Sequence, residues 1–149
     1  MKSPIEISLN FLKFRPRTVF EITEKLKSKN IPESEIKETI IVLKRNGLLD
    51  DENFAKMWVR DRNLLKPTGS FLLKLELKKL GIAEALIENV ILDQDEEELA
   101  KQAIEMKGRY REVHLGSTAE SRRAEFEKKA QFLQRRGFSM NTIYKVLKK

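Results

Sequence analysis

The sequence predicts an all-α protein of tandem three-helix repeats, about nine helices in an elongated modular arrangement, and three observations predict it. A set of apolar anchors recurs: Ile22, Leu26, Ile31, Ile36 and Ile40 are separated by 4, 5, 5 and 4 residues, and Leu73, Leu77, Ile82, Ile87 and Ile91 repeat those gaps 51 positions later. Leu133, Phe138, Ile143 and Leu147 keep the last three gaps a further 56 positions on. The slot before the middle anchor holds Asn30, Gly81 and Gly137, residue types that readily take a left-handed conformation at a helix end. No stretch of useful length alternates as a strand would. Each unit therefore contains a helix, a tight turn and a second helix, and such self-similarity suits a surface laid along another macromolecule better than a substrate pocket.

The individual elements follow from caps and breakers. Ser3, Pro4 and Glu6 form an N-cap, a first-turn proline and a capping glutamate, Ile7, Phe11 and Phe14 mark one face, and Pro16 ends the first helix. Thr18 and Glu21 repeat the capping arrangement for a second helix reaching about Ser28. Pro32 opens a third, with Ile36, Ile40 and Leu43 inward, and Gly47 stops it. Asp50 caps a fourth, with Asp51 and Glu52 in its first turn, where free amides favour negative charge, and Phe54, Met57 and Trp58 following at helical spacing. Pro67, Thr68, Gly69 and Ser70 separate the fourth helix from a fifth, Gly81 ends that, and a sixth spans about Ala83 to Leu92. Asp95, with Glu98 as partner, caps a seventh. Gly108 to Ser117 reads as an irregular loop, a charged eighth helix covers about Glu120 to Arg136, and Ser139 caps the ninth. The expected units are residues 1–48, 49–93 and 94–149. Leu26, Leu77 and Leu133 share one core slot, Gly81 and Gly137 one turn slot, and Phe138 the anchor after it, so all are expected to be structural, as are Phe54, Asp50 and Asp51.

Composition excludes several function classes. The chain has no cysteine, which fits a reducing compartment and excludes disulfide staples, thiol catalysis and cysteine-bound zinc. His114 is the single histidine, in the expected loop beside Arg111 and Glu112, so no histidine pair is available for metal or acid–base work. Asp50 and Asp51 lack the further ligands of a calcium loop, and the glycines are scattered as helix stops, not gathered into a phosphate loop. No catalytic residue, cofactor or metal is expected. Neither a membrane span nor a signal peptide is indicated, so a cytoplasmic location is expected, and separately a monomer.

Charge is the remaining signal, and it is uneven. Residues 1–98 carry 17 basic and 18 acidic side chains, whereas residues 99–149 carry 13 and 5, so the last third holds a net +8. A surface of that sign attracts phosphate backbones or an acidic protein face. Arg122, Arg123, Lys128, Lys129, Arg135 and Arg136 recur along the eighth helix and are expected to be exposed there. Phe126, Phe132 and Phe138 fit core positions on the same stretch, so contact with single- or double-stranded DNA would go to its backbone, without base reading.

One set of motifs carries a resemblance. Leu48-Leu49-Asp50-Asp51, then Phe54-Ala55, Arg60 and Arg62, resembles the central signature of the bacterial RecX regulatory proteins. So do Arg15, Arg17, Glu21, Ile22 and Leu26, the stretch from Leu75 to Ile82, and Phe132-Leu133, Arg135-Arg136-Gly137-Phe138. The family commonly carries an aromatic residue before the glycine that opens the middle unit's second helix, where this chain has Pro67-Thr68-Gly69. The resemblance implies tandem three-helix repeats and a non-catalytic regulator that binds the RecA–single-stranded DNA filament and inhibits its recombinase and coprotease activities. It adds Arg15, Arg17, Arg60 and Arg62 to the partner-binding candidates. The rival expectation, resting on charge alone, is a stand-alone helical nucleic-acid-binding module.

Overall fold

The computed structural model describes residues 2–109 and 118–148. Among them the chain forms nine α-helices and no strand: α1 (Pro4–Leu12), α2 (Val19–Ser28), α3 (Glu33–Arg45), α4 (Asp51–Leu65), α5 (Ser70–Lys79), α6 (Glu84–Leu92), α7 (Glu96–Arg109), α8 (Ala119–Arg135) and α9 (Met140–Leu147). None is long and apolar enough to cross a membrane. α7 runs through Gly108, into the stretch expected to be irregular, because a glycine near a helix end costs only about 1 kcal/mol. Residues 110–117, with Arg111 and His114, lie outside the described residues.

Local capping sets most helix starts. Ser3 accepts from the Glu6 amide, Thr18 and Glu21 form a reciprocal capping box, and Ser139 accepts from the Thr142 amide at 3.2 Å. Asp50 accepts from the Asn53 amide and Asp95 from the Glu98 amide, each at 3.1 Å.

The recurring gaps of five residues have a double cause. Asn30, Gly81 and Gly137 have φ of +60°, +79° and +90°, and each closes a Schellman turn. In those turns the amides of Ile31, Ile82 and Phe138 donate to the carbonyls of Leu26, Leu77 and Leu133, each at 3.1 Å. Those are the anchor pairs across the first gap of five. The middle anchor also stands just before the N-cap of the next helix, and Ile36, Ile87 and Ile143 occupy the fourth helical position, where an apolar residue staples back onto it. A single apolar side chain thus closes one helix and opens the next.

The chain divides into two compact units, Met1–Trp58 with Leu77–Glu88, and Val59–Glu76 with Asn89–Lys149. In the first, α1, α2 and α3 pack around Ile22, Leu26, Ile36, Ile40, Leu43 and Leu49. In the second, α7, α8 and α9 pack around Ala100, Ala103, Leu133, Phe138 and Ile143.

Each unit contains the same docking device. In the first unit the Thr18 hydroxyl donates to the Leu80 carbonyl at 2.7 Å, and a Cβ on Gly81 would stand 2.2 Å from the Cβ of Phe20. In the second unit the Gly69 amide donates to the Arg136 carbonyl at 2.7 Å, and the Phe71 amide to the Gly137 carbonyl at 3.1 Å. Thr18 and Gly69 are equivalent under the shift of 51 residues, and Leu80 and Arg136 under the shift of 56. The entry to one repeat's turn-forming helix pair therefore rests on the glycine turn of the following repeat.

Candidate partner interface

The sequence-selected cations fall into two groups. Arg60, Arg122, Arg123, Lys128 and Arg135 are exposed, and Lys129 is half-buried beside Glu125 at 3.2 Å. Arg60 lies 3.4 Å from Asp61, a surface pair worth little in water. Four of these, Arg122, Arg123, Lys128 and Arg135, project from α8, where no acidic residue is paired with them among the described residues. A helix face of that kind offers guanidinium and ammonium groups to carboxylates or phosphates alike.

The other arginines have partners within the chain, and of the cations expected to be exposed on the eighth helix Arg136 is half-buried. Arg15 forks onto both carboxylate oxygens of Glu21, and Arg17, with 14% of its side chain exposed, lies 3.6 Å from the same carboxylate. The Arg17 guanidinium also sits 3.8 Å from the centroid of Phe11, a cation–π contact that anchors α1. Arg62 makes two hydrogen bonds to Glu76, at 2.8 and 2.7 Å, and that pairing raises its pKa above the ordinary arginine value. Arg136 donates to the Pro67 carbonyl at 2.7 Å and to the Thr68 hydroxyl at 3.3 Å. Burial lowers the Arg136 pKa, and the nearby Arg62 charge adds to the lowering, but an arginine keeps its proton at either site.

Glu21, expected from the sequence as a capping residue, and Glu76, which no local motif signals, are the internal partners of these arginines, and two further carboxylates bind across repeats. Asp51, first residue of α4, accepts from the Val19 amide, first residue of α2, at 3.0 Å. Glu96, first residue of α7, accepts from the Ser70 amide, first residue of α5, at 3.1 Å. Its second oxygen accepts from the Thr142 hydroxyl at 2.8 Å. The doublets Asp50-Asp51 and Asp95-Glu96 thus divide the work: the first carboxylate caps its own helix and the second caps the helix of the preceding repeat. Asp51→Ala should cost about 1–2 kcal/mol by leaving the Val19 amide without its acceptor. Asp51→Asn, which keeps an acceptor oxygen, should cost less, and urea denaturation of both variants measures the difference. Equal midpoints for the alanine variant and the parent would show that the bond contributes nothing.

Leu26, Leu77 and Leu133 are fully buried, and Phe54 and Phe138 are buried, whereas Asp50 is exposed and Asp51 half-buried. Among the described residues no group of three histidine, cysteine, aspartate or glutamate side chains is placed to hold a metal ion.

Tandem three-helix repeats, with no strand among the described residues, define the class as an all-α repeat protein. The chain matches the family models "RecX, first three-helix domain" over residues 5–41 and "RecX, second three-helix domain" over residues 50–91. It is 33% identical to the regulatory protein RecX of Geobacillus thermodenitrificans over 99% of this chain and 54% of that protein. The identity to the regulatory protein RecX of Pelodictyon phaeoclathratiforme is 32%, over 95% of this chain and 84% of that one. The crystal structure of RecX from Lactobacillus salivarius superposes with a TM-score of 0.81 at 30% identity, covering 97% of this chain and 92% of that one. The chain belongs to the RecX family. It spans about half the length of the Geobacillus and Leuconostoc relatives it matches.

Proposed function

We propose that this chain is a non-catalytic regulator that binds the RecA–single-stranded DNA filament and inhibits its recombinase and coprotease activities, acting in the cytoplasm as a monomer. The observation that carries the reading is the match to regulatory RecX proteins along nearly the whole chain. The exposed cations of α8 support it by supplying groups that either face of a nucleoprotein filament would attract. Units at 1–48, 49–93 and 94–149 would let weak contacts act together, which raises affinity only where the geometry permits simultaneous engagement.

Contact is assigned first to Arg60, Arg122, Arg123, Lys128 and Arg135, because Arg17, Arg62 and Arg136 are already spent on internal partners. Charge reversal at Arg122, Arg123, Lys128 and Lys129 should weaken filament association by at least about tenfold and relieve inhibition of the RecA ATPase and of strand exchange, with helical content unchanged. Undiminished inhibition by the folded quadruple variant would remove this patch from the interface. No effect of the parent protein on its cognate RecA would defeat the regulatory reading.

The net +8 of residues 99–149 favours a second reading, a module that binds nucleic acid without a recombinase. That reading requires affinity for naked DNA that falls steeply from low to physiological salt. Titrating naked DNA and a preformed filament in one buffer separates the two, since the regulator should prefer the filament strongly.

A further inference from the structure

The second compact unit carries a surface that combines an apolar floor with a cationic rim. Pro67, Ala103, Met106 and Phe132 line an open groove of about 410 Å³ whose other lining residues are Lys66, Lys107 and Arg136. An adjoining concavity of about 360 Å³ shares Lys107 and Phe132 and adds Lys128, Gln131 and Arg135. Among the described residues, neither lining contains a carboxylate. The shared residues make the two concavities one surface.

Its chemistry selects among occupants. A free phosphate would satisfy the rim and leave the apolar floor unused, and a purely apolar ligand would do the reverse. A nucleobase needs an open aromatic face. Among the described residues Phe132 is the aromatic side chain of the lining, and the Lys107 ammonium stands 4.5 Å from its centroid while the ring packs on the Leu133, Phe138 and Ile143 core. It therefore offers a base no free platform. The committed arginine, Arg136, is held by Pro67 and Thr68, which fixes one wall of the groove. Lys66, Lys128 and Arg135 remain exposed at the edge.

We infer that this groove receives an acidic segment of a partner protein, with one aliphatic side chain seated among Pro67, Ala103 and Met106 and flanking carboxylates paired to Lys66, Lys128 and Arg135. A desolvated apolar anchor inside a charged rim is the arrangement in which a short segment gains both affinity and register. The inference deepens the filament reading, and rests on it only in taking a protein as the partner.

The test uses the full chain and a short fluorescein-labelled peptide of glutamates flanking one central leucine, read by fluorescence anisotropy. Saturable binding is expected, weakened at least about tenfold when the leucine is replaced by serine, and equally by Met106→Glu or by Lys128→Glu with Arg135→Glu. Lys37→Glu with Lys44→Glu, exposed on α3 and absent from the groove lining, should leave the peptide affinity within about twofold. Should Met106→Glu lower the melting temperature, Met106→Ser should show the same loss in a folded protein. Absence of saturable binding, equal binding of the serine peptide, or insensitivity to the Met106 variants would overturn the site. So would displacement of the peptide by labelled oligo(dT), which would make it a nucleic-acid surface. Peptide capture is measured without filament, so its failure with filament binding intact overturns the groove alone. Intact capture with no filament binding overturns the filament reading alone.

Discussion

Gly69→Ala is expected to cost about 3–5 kcal/mol, among the largest effects of any single substitution in this chain. A Cβ at this position would stand 2.1 Å from the carbonyl carbon of Gly137, 2.2 Å from its oxygen and 2.3 Å from the Phe138 nitrogen. Those are backbone atoms, so the overlap is not relieved by turning a side chain. The two segments would have to separate. Separation would strain the Gly69–Arg136 and Phe71–Gly137 backbone hydrogen bonds and the hold of Arg136 on the Pro67 carbonyl. For a chain of this length the melting temperature should fall by about 10 °C, read by circular dichroism. Gly47→Ala is the matching control: its φ of +71° strains an alanine, but the added methyl meets nothing within 4 Å, so about 1–2 kcal/mol is expected. Equal losses in the two variants would show that the Gly69 docking contact carries no stability.

Leu77→Ala should cost about 2–5 kcal/mol, the range for emptying a fully buried leucine site. The position is more exacting than an ordinary core site, because the Leu77 carbonyl accepts from the Ile82 amide in the Schellman turn and its side chain is the first of the anchors spaced by five residues. Truncation leaves the hydrogen bond and removes the apolar contact that accompanies such a turn. Thermal melts run beside filament binding decide the matter. Unchanged stability with selectively lost binding would place Leu77 at a contact surface, contrary to its burial.

The features legible in the sequence are those whose causes lie close together along the chain. Thr18 and Glu21, Asp50 and Asn53, and Asp95 and Glu98 are three residues apart, so their hydrogen bonds could be read as helix starts. The repeated gaps of five were legible for the same reason, since the turn and the staple act within one helix–turn–helix segment. What escaped reading depends on distant partners. Asp51 reaches Val19 across 32 positions, Glu96 reaches Ser70 across 26, and Arg136 reaches Pro67 across 69. A pattern of exposed arginines and a pattern of committed ones look alike until the acceptor is located. The Arg17–Glu21 pair is the exception, since its i,i+4 spacing is a local signal. The groove combines Lys66 and Pro67 with residues of α7 and α8, and no local motif signals that combination.

The docking of each helix entry on the following repeat's turn bears on the order in which the protein is made. A chain leaves the ribosome N-terminus first, so Thr18 emerges 62 residues before the Leu80 carbonyl that its hydroxyl bonds. At about 5–20 residues per second that interval is about 3–12 s. Once Arg45 has emerged, α1, α2 and α3 can collapse around Ile22, Leu26 and Ile40, the Val19 amide waiting until Asp51 follows and the Phe20 ring until Gly81 does. The nascent first unit is therefore finished by residues of the second repeat, and a stop codon placed at the apparent repeat boundary would release a helical bundle whose α2 entry had never closed.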